Sequence, residues 1–167
     1  YAPEVCVYLC MEDDEVWRPL VLGLLDAGRH RHARDLCERA AQTLPAARQG
    51  FLHFTRGCIH LESGQASAAA NAFENALHCQ DTSLERVIAG LRRAVETDAQ
   101  LGHARYVLAR ALLQARADRS EAVSLLSEAG RFDPMLADLV LETLHEHGRS
   151  LEKHGPALAL AGALRLR

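Results

Sequence analysis

Three pairs of small residues, Gly28 and Gly64, Ala33 and Ala69, and Ala40 and Ala76, keep a single spacing of thirty-six positions. A period of this length constrains the fold more than any one residue does. Each copy is a supersecondary unit too small to bury its own apolar face, so copies must stack. Within the copies, apolar residues recur at helical spacing. Glu15 to Ala27 puts Val16, Leu20, Val21, Leu24 and Leu25 on one stripe, closed by Gly28, which is free to take a positive φ. His30 to Thr43 follows with a narrow face of Ala33, Leu36, Cys37, Ala40 and Ala41, and Pro45 forbids continuation. Phe51 to Ser63, Gly64, and Gln65 to His78 repeat the plan. Alternation with a period of two is nearly absent, so the expected fold is all-α, without a sheet. Helices joined by such short turns lie antiparallel, and close approach of their backbones requires Ala or Gly where they cross. Gly57 and Ala69 suit such a crossing, and Phe73 suits the space between this pair and the next.

The first copy, read as Trp17, Leu20, Val21, Leu24, Ala33, Cys37, Ala40 and Pro45, resembles the tetratricopeptide repeat. A second copy reads His53, Arg56, Gly57, His60, Ala69, Phe73, Ala76 and Asp81. A third begins near Gly102, with Leu108, Ala109 and Leu112, then Ala122, Leu126, Ala129 and Pro134. A fourth is suggested by Leu136 to His147 followed by Ala157, Ala161 and Leu164. The resemblance implies antiparallel helix-turn-helix repeats stacked as a right-handed α-solenoid, and the same residues also suit a related repeat of paired helices. The expected organisation is a short apolar helical segment over 1–13 and an array over 14–167. Its copies span about 14–47, 50–83, a half copy 84–101, then 102–135 and 136–167. The half copy, Glu85 to Glu96, looks like a second helix, with Val87, Leu91 and Ala94 in the packing positions and no first helix of its own. Two readings are open: a discontinuity of the natural chain near 79–84, or a genuine odd helix capping the first block.

Chemistry is sparse. The 167 residues are 49% hydrophobic and 25% charged with a net charge of -3, which lacks the basic footprint of a nucleic-acid binder. Cys6, Cys10, Cys37, Cys58 and Cys79 form an odd set without a C-x-x-C pair, as expected of reduced thiols in an intracellular compartment, cytoplasmic or nuclear. No apolar run reaches the roughly 20 residues of a membrane span. His30 and His32 alternate across a turn, and His145-Glu146-His147 has the wrong spacing for a zinc-protease helix, with His154 beyond Gly148. Cys6 and Cys10, four apart, fit the buried side of a short apolar helix. With no nucleophile elbow and no phosphate-binding loop, neither metal, cofactor nor catalytic residue is expected, and the chain is not expected to be an enzyme.

What the resemblance implies instead is a concave groove lined by the first helix of each pair. Residue by residue it picks out Arg18, Leu22 and Leu25 in the first copy. In the second it picks out Phe51, Phe54, Cys58 and Leu61, and in the third Tyr106, Arg110 and Leu113. Phe54 and Tyr106 stand out as anchors, because aromatic side chains desolvate a large area with few rotamers to freeze. Phe51 and Phe54 are equally suited to the core. The Lys and Asn clamp that some subfamilies close on a terminal carboxylate is not present, since Arg18, Phe54, Leu22 and Cys58 stand in those positions. The expected role is a protein–protein interaction scaffold within a multiprotein complex. Its expected ligand is an apolar partner segment with acidic residues near Arg18 and Arg110. A regulatory or substrate-recruiting segment of a larger enzyme is the alternative, and self-association through apolar ends such as Val5, Val7 and Leu9, or Leu158 to Leu166, is a third.

Overall fold

The computed structural model describes residues 14–45, 49–79 and 81–147. The expectations placed on 1–13, with Cys6 and Cys10, and on Gly148 to Pro156, Ala157, Ala161 and Leu164 lie outside them. The described residues form eight α-helices and one 3-10 turn, with no strand among them. They are α1 (Asp14–Asp26), α2 (His30–Thr43), α3 (Gly50–Glu62), α4 (Ala66–Leu77), α5 (Leu84–Thr97), α6 (Gly102–Gln114), α7 (Arg119–Phe132), the 3-10 turn Pro134–Leu136 and α8 (Ala137–Glu146).

The matched glycines do the same work. Gly28 and Gly64 have φ of 69° and 70°. At the first, the Gly28 N–H donates to Leu25 O at 2.9 Å and the Arg29 N–H to Leu24 O at 2.8 Å. At the second, Gly64 donates to Leu61 O and Gln65 to His60 O, both at 2.9 Å. These paired bonds close a helix through a left-handed residue and satisfy its last carbonyls. The end of α6 repeats them, Arg116 to Leu113 O at 3.1 Å and Ala117 to Leu112 O at 3.0 Å, with Arg116 at φ 53°. There the left-handed position carries a Cβ, which costs about 1 kcal/mol. Arg116→Gly is therefore expected to raise stability by about 0.5 kcal/mol, and Gly64→Ala to lower it by about 1 kcal/mol, in urea unfolding. A loss of stability in Arg116→Gly would contradict this reading of the turn. Helix α2 ends differently: Leu44, at φ -85° and ψ 134°, takes the extended pose that a following proline imposes.

The small-residue faces are the core. Ala33, Cys37 and Ala40 in α2, Ala69, Phe73 and Ala76 in α4, and Ala122, Leu126 and Ala129 in α7 are each at most 1% exposed. Val87, Leu91 and Ala94 of α5 keep the same spacing and are fully buried. Between α3 and α5 the Phe73 ring lies against Gly57 on one side and Gly90 on the other, and a Cβ at either position would run into it. Two bare backbones thus hold one ring, and α5 can close on α3 only because neither helix carries a side chain there.

Contacts alternate along the chain. Helix α1 packs on α3 and α3 on α5, while Arg92 of α5 pairs with Glu121 of α7 at 2.8 Å. Helix α4 packs on α6, and Tyr106 of α6 lies 3.3 Å from Thr143 of α8. Helix α5, which carries the buried pattern of the second helices, therefore stands beside α3 as α3 stands beside α1. Helix α6, which matches a first helix, falls beside α4 instead.

Candidate partner-binding groove

A cavity of about 420 Å³ opens between α1, α3 and α5 at the start of α2. Its floor is Leu22 and Leu25 of α1 with Phe54 and Cys58 of α3. Phe54 is held from behind by the aromatic series that runs through the core, its ring 6.2 Å from that of Phe51 and 5.9 Å from that of Phe73. Burial pushes the Cys58 thiol up to about 11, so it is protonated at neutral pH and serves as apolar wall, not as a nucleophile.

The rim is polar. Arg93 of α5 donates to Glu62 of α3 at 2.7 Å and thereby holds the Glu62 carboxyl below its ordinary range. Both side chains are largely solvated, so the pair contributes at most about 1 kcal/mol to stability. Asp26 has no ion-pair partner among the described residues. Nor does the buried Nδ1 of His30 have a hydrogen-bond partner among them. An unmet buried nitrogen costs about 1–3 kcal/mol until something bonds to it.

Of the residues singled out from the sequence, the structure brings Leu22, Leu25, Phe54 and Cys58 together in this cavity. Arg18 and Phe51 lie elsewhere on α1 and α3. Phe51 is buried edge-on against Trp17 at 5.2 Å, and Arg18 lies over both rings. The Arg18 guanidinium donates to Asp81 Oδ2 at 2.8 Å and to the Asp81 carbonyl at 3.0 Å. Tyr106 is buried at the seam of α6 and α8. Thr143 donates its proton to Leu139 O at 2.9 Å, so the Tyr106 hydroxyl is the donor to Thr143 Oγ1. Arg110 donates to Glu74 of α4 at 2.9 Å, with His103 Nε2 3.3 Å from the other carboxylate oxygen. His103 first, and then the charge of Arg110, hold the Glu74 carboxyl below its ordinary value. The two arginines that carried the expectation of an acidic partner are thus each ion-paired within the chain.

Asp26, Glu62 and Arg93 were not singled out from the sequence, and His30 was considered there only as a metal ligand. For two of them the signal was there: Leu22 to Asp26, and Phe54 to Cys58 to Glu62, are successive steps of four along one helical face. Arg93 was not accessible this way, because its place depends on α5 lying beside α3. Among the described residues no three His, Cys, Asp or Glu side chains gather as a metal site, and no helix is long and apolar enough to cross a membrane. No protein-family model matches the chain, and no curated protein matches it in sequence.

Proposed function

We propose that this chain is a protein–protein interaction module, a divergent helical-repeat array of the tetratricopeptide kind, whose groove between α1, α3 and α5 holds a segment of a partner polypeptide within a larger complex. The cavity itself carries this reading. It is open to the surface, lined by apolar side chains from two helices and by the charged side chains of Asp26, Glu62 and, from a third helix, Arg93. That is the arrangement by which an apolar groove admits the anchors of a helix or extended peptide and fixes their register at the edge. The turn repeated at Gly28, Gly64 and Arg116 and the alternating helix contacts favour a stacked array. The unbridged thiols of Cys37 and Cys58 favour a reducing, intracellular setting.

Cys58→Phe tests this, because the larger side chain takes up space in the cavity that Cys58 lines. Proteins that co-purify with the tagged wild-type chain, quantified by mass spectrometry, are expected to be lost from the variant while its helical circular dichroism is kept. Recovery of the same set by both chains would overturn the assignment of the groove.

A further inference from the structure

We infer that the groove is selective for a basic, apolar segment of a partner protein, one whose apolar side chains enter between Leu22 and Phe54 while an adjacent Lys or Arg meets Asp26. The inference rests on the groove being the binding site and adds the chemistry of its occupant. Its first support is the charge left over at the rim. Arg93, the cation at the edge of the cavity, is already engaged by Glu62 at 2.7 Å, whereas Asp26 on the neighbouring helix has no ion-pair partner among the described residues. An incoming carboxylate would meet an Arg93 whose charge Glu62 already offsets and would lie near Asp26. An incoming cation meets Asp26 with nothing displaced.

The second support is independent of charge. His30 faces the same cavity, and its Nδ1 is buried and without a hydrogen-bond partner among the described residues. That nitrogen is closed to solvent while the cavity is empty, so a backbone amide of a peptide passing over the start of α2 completes the bond only by turning the imidazole outward. A purely apolar occupant, for example a second copy of this chain docking through leucines alone, would leave it unmet.

Two labelled synthetic peptides of one amphipathic pattern, leucine with lysine and its twin with glutamate at every lysine, distinguish the possibilities by fluorescence anisotropy with the full chain. The lysine peptide is expected to bind about tenfold more tightly, equivalent to about 1.4 kcal/mol, and the preference is expected to shrink as salt rises. Asp26→Lys is expected to reverse the order, and Cys58→Phe to remove binding of both peptides. Equal binding of the two peptides, unchanged by Asp26→Lys but lost in Cys58→Phe, would overturn the charge inference and leave the groove standing. A lysine preference that survives Cys58→Phe would place the binding on the general acidic surface and overturn the inference. Binding of neither peptide would also overturn it, leaving the groove to be judged by co-purification. Concentration-dependent self-association lost in Cys58→Phe would assign the groove to a second copy instead.

Discussion

Phe73→Ala is expected to lower the free energy of unfolding by about 3–5 kcal/mol, the range for emptying a buried aromatic site. The ring is wholly buried and touches both Gly57 and Gly90, so the surrounding helices cannot collapse into the space without moving α5 against α3. The complementary substitutions overpack the same site. Gly57→Ala and Gly90→Ala each put a methyl group into the face of the ring and are expected to cost about 1–3 kcal/mol. Because ring and glycines share one volume, their effects are coupled. In a Phe73→Leu background the cost of Gly90→Ala is expected to fall by about 1 kcal/mol. Strict additivity in a double-mutant cycle read by urea unfolding would mean that the ring does not lie between the two backbones.

Asp81→Ala is the second large effect, expected to cost about 2–3 kcal/mol. One carboxylate does two things: Oδ1 accepts the Gly50 N–H at the start of α3 at 2.9 Å, and Oδ2 accepts Arg18 of α1 at 2.8 Å. Removing it leaves an uncapped backbone donor and takes the Asp81 carboxylate away from the Arg18 guanidinium. The side chains of Arg18 and Asp81 are 22% and 13% exposed, so solvent softens the loss below the about 3–5 kcal/mol of a fully buried pair. Asp81→Asn keeps an acceptor for Gly50 and is expected to cost only about 1 kcal/mol. If Asp81→Ala stays within about 0.5 kcal/mol of wild type, this residue does not tie α1 to α3.

Most of the helical framework was legible in the sequence because local chemistry sets it. Gly28 and Gly64 stop helices by a conformation that favours a residue without a Cβ, Pro45 stops one by sterics, and the spacing of Ala33, Cys37 and Ala40 recurs wherever one helix must approach another closely. The groove was legible only in part. Leu22, Leu25, Phe54 and Cys58, like Tyr106 and Arg110, were assigned to the face of a first helix by one resemblance of pattern, and pattern does not say beside which neighbour a helix will lie. That choice is long-range. It turns on Phe73 accepting α5 through Gly90, which shifts α6 to the side of α4, where Arg110 meets Glu74 and Tyr106 meets Thr143. Helix α5 thus takes the place of α6 at the wall of the groove, and Arg93 stands where a residue of α6 was expected. Likewise, Arg116 holds a left-handed turn that composition assigns to glycine, because the bonds to Leu112 and Leu113 and the packing of α6 on α7 outweigh a small local cost.

The placement of α5 is the claim on which the groove and its occupant both depend, and proton NMR reads it directly. Nuclear Overhauser contacts are expected from the Phe73 ring to the α-protons of both Gly57 and Gly90, with those glycine protons shifted strongly by the ring current. Contacts from Phe73 to Gly57 alone, with Gly90 at an ordinary shift, would mean that α5 does not lie against α3 and would remove the third wall of the groove.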